Sequence, residues 1–406
     1  MAEARPRAPF AWIAAIAFAS GFPFGLVNEA LPVYLRTRGA GLVEVGLVTA
    51  ASFPWTFKFL WAPLVDRWGS RRAWIAGCLL GLAALIGVLG VFDLDALAGL
   101  FWPLLVATVA LSATQDVAID AYTIEATPRD QLGVANSVRI ASYRIAMFTA
   151  GGALIWLAGR AGWTSAFGAG AAACALLAVA ALALPRVERL GRPTERLSEP
   201  LRALLARREI WLIVAFALLF KLDIAALDPM TRPFWVDRGF TLAEIGVVLT
   251  TGRMLATLAG AVLGGWVTTK WGMFRALWSL GLVQLLSSLA YAGAAWVTPS
   301  KPLVIVVALF ENFAAGLGTA AFVAFLMSVC ERRYAATQYA VLSALLALTR
   351  SVAGGLSGEL TERMGYAPYF LLTFAMGIPA FFLLPAIGRV RAPDDEPTAG
   401  TPASLR

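Results

Sequence analysis

The sequence predicts an all-α membrane protein of twelve transmembrane helices, arranged as two related halves of six. Apolar runs of bilayer-crossing length recur from residue 10 to residue 388 of the 406. Only 14% of the residues are charged and the mean hydropathy is +0.74, whereas a soluble domain is roughly a quarter charged. Short motifs of the first half return 200–203 positions later. The ten-residue alternating strands that mark a membrane barrel are absent from the sequence.

The spans fall at 10–35, 44–65, 73–92, 98–126, 135–158 and 163–184, then 209–235, 243–268, 274–296, 301–329, 337–362 and 367–388. Residues 1–184 make the first half and 209–390 the second. Between them 185–208 is a polar linker with Pro185, Pro193 and Pro200, and 391–406 reads as a disordered tail. The first run, preceded by Arg5 and Arg7, is read as a retained helix and not a cleaved leader, since eleven more follow it.

Charge sets the orientation. With a cytoplasmic N-terminus, the inside loops and tails hold 20 of the 33 Lys and Arg, seven of them between Arg186 and Arg208. The outside loops hold six, Arg36, Arg38, Arg160, Arg238, Lys301 and Arg363, and the spans the other seven. Both termini are therefore expected in the cytoplasm. The net charge of +8 follows from this sidedness and implies no nucleic-acid partner. Cys78, Cys174 and Cys330 lie in or at the end of different spans, without pairing or metal spacing.

The repeat keeps order and nearly constant offset. Arg38-Gly39, Leu42, Glu44 and Gly46 return as Arg238-Gly239, Leu242, Glu244 and Gly246. Trp68-Gly69 and Arg72-Ala73 return as Trp271-Gly272 and Arg275-Ala276, Gly151-Gly152 as Gly354-Gly355, and Gly162-Trp163 as Gly365-Tyr366. Two parallel halves related by an axis along the membrane normal resemble the major facilitator plan, in which spans one, four, seven and ten surround a central cavity. The loop from Asp66 to Arg72 resembles that superfamily's cytoplasmic Asp-Arg-x-Gly-x-Arg-Arg pattern. Asp66, Arg67, Gly69 and Arg72 are the candidate gate, because a carboxylate at a Gly turn beside basic residues can clamp helix ends and release them. Plain topology, with positive charge holding the loop inside, is the other reading. The second copy, Thr269 to Arg275, has lost the acid.

There is no histidine, which removes His-dependent catalysis, metal sites and proton relays, and no phosphate-binding Gly-Lys-Ser/Thr loop. Neither an enzyme nor a cofactor or metal is predicted. What remains is movement of a small molecule along a gradient, and ionisable groups at membrane depth mark the route. An acid there costs at least ~2.5–3.5 kcal/mol and needs a partner or a purpose.

Span four carries the strongest such signal. At ~100° per residue, Ser112, Asp120 and Thr123 fall within about 40° of Asp116, making one polar stripe beside Gln115, while Glu125 points the other way. Asp116 and Asp120 are the first proton-coupling candidates, with Glu29 and Asp228 next. Asp116 and Arg144 lie at equal depth, which predicts that they meet; Arg139, about 140° from Arg144 on the wheel, faces another neighbour. The remaining cavity candidates are Asn28, Lys58, Lys221, Arg232, Arg253, Glu311, Asn312 and Arg350. Lys58, about one turn from the cytoplasmic face, either lines the cavity or snorkels to the interface. Position 116 plus 203 is Thr319, so the second half lacks the carboxylate stripe and is the more basic of the two.

Two stretches go beyond the superfamily. Lys58-Phe59-Leu60-Trp61-Ala62-Pro63-Leu64-Val65-Asp66-Arg67, and Gln115-Asp116-Val117-Ala118-Ile119-Asp120-Ala121, resemble the muropeptide permease and acetyl-CoA transporter family. That family shares Lys-x-Leu-Trp-Ala-Pro-Leu-x-Asp-Arg and Gln-Asp-x-Ala-x-Asp-Ala. The resemblance implies an inner-membrane importer, often proton-driven, for anhydromuropeptides, and the protein is expected to be a monomer. It maps the family's Lys to Lys58 and its two acids to Asp116 and Asp120. The muropeptide permeases are longer by two helices. Shorter members resembling permeases for pyochelin-like or rhizobactin-like siderophores have this length, so a siderophore permease stands as the alternative, with a small-molecule exporter and a non-transporting sensor or membrane enzyme behind it.

Overall fold

Each expected span is present as helix, and prolines and glycines decide where the helices break. The computed structural model describes residues 10–91, 99–127, 132–187, 202, 204–297, 300–330 and 335–390. The tail 391–406, most of the linker 185–208 and the side chains of Asp66 and Arg67 lie outside the described residues.

Among the described residues nine helices are long and apolar enough to cross a membrane. The first is Phe10–Thr37, with a π-helical turn at Leu26–Ala30 beyond Pro23. The third and fourth are Arg71–Val91 and Phe101–Ala126. Val138–Leu182 takes in two consecutive spans, the fifth and the sixth, broken where Gly162 adopts φ 83°. The seventh to tenth are Ile210–Asp237, Glu244–Trp271, Met273–Trp296 and Lys301–Ser328, and the twelfth is Tyr366–Ile387. The eleventh, Ala335–Met364, is a 30-residue helix made more polar by Arg350, Glu359, Glu362 and Arg363.

The second span departs from the single helix expected over 44–65. It runs as Leu42–Ala50, Phe53–Phe57, a 3₁₀ turn at Lys58–Leu60, and Ala62–Arg67. Pro54 and Pro63 each remove an N–H donor and crowd the carbonyl four residues back, so regular helix stops before each. Lys58 falls in the gap between the two breaks.

The described residues with positive φ are all glycines and form three pairs: Gly39 with Gly239, Gly69 with Gly272, and Gly162 with Gly365. Their offsets are those of the sequence repeat. A side chain is strained at such φ, so each pair keeps the same span-to-span turn in both halves.

The chain divides into two compact units. The first is Met1–Arg192 with Pro229–Gly252 and Gly354–Glu362; the second is Pro193–Asp228, Arg253–Ala353 and Arg363–Arg406. In the first, span three lies along span six and span one along span five, where Gly21 and Gly25 admit the carbonyls of Tyr143 and Met147. The same unit has two backbone seams that join segments from the two sequence halves. A Cβ on Gly246 would stand 2.5 Å from the Gly152 carbonyl oxygen, and one on Gly46 2.9 Å from that of Gly354. In the second unit span nine packs against spans ten and twelve, around Phe216, Phe220, Phe322 and Phe325.

The starts of spans two and eight are capped differently. Thr241 and Glu244 form a reciprocal box, with Thr241 N–H to Glu244 Oε2 at 2.7 Å and Glu244 N–H to Thr241 Oγ1 at 3.2 Å. Position 41 is glycine and lacks that hydroxyl. There Glu362 of span eleven accepts the Leu42 and Val43 N–H groups at 2.7 and 3.3 Å.

Candidate functional site

Span four presents Ser112, Asp116, Asp120 and Thr123 as the wheel predicts, and the broken second span brings groups to meet them. Lys58 Nζ stands 3.6 Å from Asp116 Oδ2 and 3.7 Å from Asp120 Oδ2. Ser20 of span one donates its hydroxyl to Asp116 Oδ1, and Arg139 Nη1 of span five donates to Asp120 Oδ1 at 2.5 Å. Trp55 Nε1 donates to Ser112 at 3.3 Å and Trp61 Nε1 to Thr114 at 3.0 Å, pinning both sides of the break to span four. Two acids and two cations thus share one cluster. The Lys58 contacts exceed hydrogen-bond length, so its hold is Coulombic and divided between the acids. Asp116 is 14% exposed and Asp120 41%, so one acid is the buried member and the other the wetter one.

This geometry closes one open alternative and corrects one expectation. Lys58 does not snorkel to the interface but turns to the acid stripe. Arg144 is exposed, and the cations at the acids are Lys58 and Arg139. Equal depth placed Asp116 and Arg144 together, but depth leaves the direction round the helix open, and Arg139 has the right one. Glu125 does the separate job its opposite face implied: Arg71 holds it at 2.8 Å, with the two side chains 10% and 6% exposed. Gln115 is fully buried, and neither of its amide atoms has a partner among the described residues.

At the end of the first unit that carries Gly39 and Gly239, two ion pairs accompany the seams. Arg232 donates Nε to Glu29 Oε2 at 2.9 Å and Nη2 to Glu29 Oε1 at 2.5 Å, with the side chains 3% and 10% exposed. Gly151 makes this possible, since a Cβ there would stand 2.6 Å from that of Glu29. Arg36 makes the same two-pronged contact to Asp237 at 2.6 and 2.7 Å, nearer solvent. Asn28, beside Glu29 in the π turn, donates to the Phe24 carbonyl at 3.0 Å.

In the second unit Asp228 accepts Arg253 at 2.9 Å and Arg350 at 3.3 Å. Asn312 donates to Glu311 at 2.6 Å and faces Thr257 Oγ1 at 3.4 Å. Lys221 donates to Thr319 Oγ1 at 2.9 Å and to Gln284 Oε1 at 3.1 Å, and Gln284 Nε2 reaches both Asp223 oxygens at 3.3 and 3.4 Å. Of the gate candidates, Gly69 takes φ +65° at the turn into span three, and Arg72 lines a small cavity with Ser70, Arg71, Tyr122 and Arg186. Sequence reasoning missed Ser20, Gln284 and Glu362. The one signal for Gln284 is an amide midway along an otherwise apolar stretch of span nine.

The family model of the Major Facilitator Superfamily matches residues 13–231. The chain is 31% identical over 380 residues to the anhydromuropeptide permease of Escherichia coli K12, covering 91% of this chain and 77% of that one. It is 27% identical over 387 residues to the putative transporter AmpG 4 of Rickettsia conorii, covering 90% and 93%. Among solved structures, a bacterial homologue of the human lysosomal transporter Spinster, in an inward-facing and unoccupied conformation, superposes with TM-score 0.75 at 16% identity, over 94% of this chain and 96% of that one. The nucleoside transporter NupG superposes with TM-score 0.74 at 14% identity, over 94% and 99%. These structures share the fold, and the curated relatives are permeases and transporters, not enzymes. The chain is a multi-pass membrane transporter that belongs to the major facilitator superfamily and, within it, to the family of the anhydromuropeptide permease.

Proposed function

We propose that this transporter is a proton-coupled importer of an anionic solute, with anhydromuropeptide as the substrate class, working as a monomer in the inner membrane with both termini cytoplasmic. The observation that carries the reading is Lys58 set between Asp116 and Asp120. A proton on either acid removes one of the two negative charges that Lys58 bridges. At ~4 Å that attraction is about 1 kcal/mol in water-like surroundings and about 4 kcal/mol at a partly buried site, so Asp116 sets the larger change and Asp120, the wetter acid, the smaller. A proton taken up by the pair loosens the hold on Lys58, and the freed Lys58 together with the altered hold on spans one and five biases the access equilibrium.

The excess of Lys and Arg in one set of loops supports the orientation. In that frame the seams and the Glu29–Arg232 pair close the outer end, and import requires them to part. The name of the Escherichia coli relative supports the solute class, and the Rickettsia conorii relative, also named for AmpG, is matched over 93% of its length, so a chain this short does not by itself favour a siderophore. Gln115 supports a polar cargo: an unsatisfied buried amide costs ~1–3 kcal/mol, which a guest with complementary groups recovers.

The test is uptake of labelled anhydromuropeptide by the purified protein in liposomes. With acid outside, the label accumulates above its external concentration, and a protonophore abolishes the accumulation. Simple equilibration, indifferent to the pH gradient, contradicts the reading.

A further inference from the structure

We infer that Lys221 anchors a carboxylate of the solute, and that Gln284, backed by Asp223, is the residue that positions it. This rests on the proposed anionic solute and names the group that recognises it. Four cations of the second half lie at membrane depth. Three of them touch carboxylates: Arg232 meets Glu29, and Arg253 and Arg350 meet Asp228. Lys221 touches neutral groups instead, namely Thr319 Oγ1, Gln284 Oε1 and the rings of Phe220 and Phe322, whose centroids lie 5.8 and 5.4 Å from Nζ. An ammonium has three N–H donors, and these contacts use two. Lys221 is only partly buried, and these contacts leave its third donor for an anion.

The surroundings hold that arrangement in place. Thr319 spends its own hydrogen on the Ala315 carbonyl at 2.6 Å and so turns a lone pair to Lys221. Gln284 aims Nε2 at Asp223 and at the Phe220 carbonyl, which leaves Oε1 for the ammonium. Asp223 is 1% exposed and acts on Lys221 through this neutral amide, not by contact. Two glycines make the room: a Cβ on Gly318 would collide with Gln284 Oε1, and one on Gly377 would stand 3.1 Å from that of Asp223.

The repeat gives the placement its meaning. Thr319 stands 203 positions after Asp116, and Lys221 lies next to Phe220, which stands 200 after Ser20. The contact between spans one and four, Ser20 to Asp116, has a counterpart between spans seven and ten in Lys221 to Thr319, made from a neighbouring position, with the acid gone and a base gained. One half carries the proton-binding pair and the other the anion-binding cation.

The experiment measures binding of an anhydromuropeptide, and of the same molecule with its carboxylates amidated, to the purified protein. The wild type prefers the acid form by about 10- to 100-fold, the range of one hydrogen bond to a charged group. Lys221→Gln loses the preference without weakening the amide form, and Lys221→Arg keeps most of it. Thr319→Asp, which returns the first half's acid to the second, cancels the charge of Lys221 and loses the preference too. Gln284→Met reduces it while leaving affinity for the amide intact, which a residue needed only for folding does not do. If Lys221→Gln and Thr319→Asp still prefer the acid form, the anchor lies elsewhere and the inference is overturned while the transport reading stands. If the wild type binds both forms equally, the carboxylate anchor is overturned alone. If it binds neither, the proposed solute goes and the anchor with it.

Discussion

The Glu29–Arg232 pair is the part of the structure whose loss has the most calculable effect. Arg232→Met removes a guanidinium that is 3% exposed and takes two N–H donors from the Glu29 carboxylate, 10% exposed. Stranding one member of a buried pair costs ~3–5 kcal/mol, because the remaining charge has lost its compensation. When the end of the bundle opens, Glu29 meets water and escapes that cost. The substitution therefore shifts the open–closed equilibrium by that amount, on the order of 10²- to 10³-fold toward open. Thr250→Cys is a near-isosteric reporter. Thr250 is 2% exposed, and a Cβ on Gly151 would touch both it and Glu29. The native Cys78, Cys174 and Cys330 are buried and are replaced by alanine to clear the background. The rate at which a membrane-impermeant maleimide modifies the introduced thiol from outside then reports the open fraction. Arg232→Met accelerates it by about 100-fold or more, and adding Glu29→Gln returns the rate to within about tenfold of the parent, since a neutral amide carries no stranded charge. An unchanged rate in Arg232→Met, or no recovery in the double variant, refutes the reasoning.

Two further outcomes follow from the same geometry. Gly246→Ala forces a methyl toward the Gly152 carbonyl, where a Cβ stands only 2.5 Å away. Overpacking of ~1–3 kcal/mol is expected, read in the same maleimide assay as faster labelling than the parent but slower than Arg232→Met. Arg71→Met strands Glu125 at the ends of spans three and four, away from the acid pair. It lowers the melting temperature of the detergent-solubilised protein while uptake per folded molecule is kept; unchanged melting with lost uptake would place Glu125 in the transport cycle instead.

Much of the fold was legible because each span needs its own apolar run and each turn its own glycine. The repeated Gly39 and Gly239, Gly69 and Gly272, and Gly162 and Gly365 are visible as motifs and prove to be the positive-φ residues of the turns. The break in span two was signalled by Pro54 and Pro63 but hidden by the apolar residues around them. The acid stripe was readable from helical angles alone, since Ser112, Asp116, Asp120 and Thr123 belong to one helix. Its partners were not, because they come from three other spans and no periodicity fixes which of them meet. Arg139 and Arg144 differ by five residues and by about 140° of helix, and only packing tells them apart. Gln284 was overlooked for a simpler reason: a neutral amide carries no charge to draw the eye, although its orientation is what separates Lys221 from Asp223.

The central claim is that proton binding at the Asp116–Asp120 pair drives accumulation. The direct measurement compares Asp116→Asn and Asp120→Asn with the parent in liposomes, under two regimes: uphill uptake of anhydromuropeptide with acid outside, and exchange at equal pH. In at least one variant uphill uptake vanishes while exchange persists. Accumulation in both variants contradicts the claim and moves coupling to Glu29 or Asp228, whereas loss of exchange in both makes the pair structural or solute-binding.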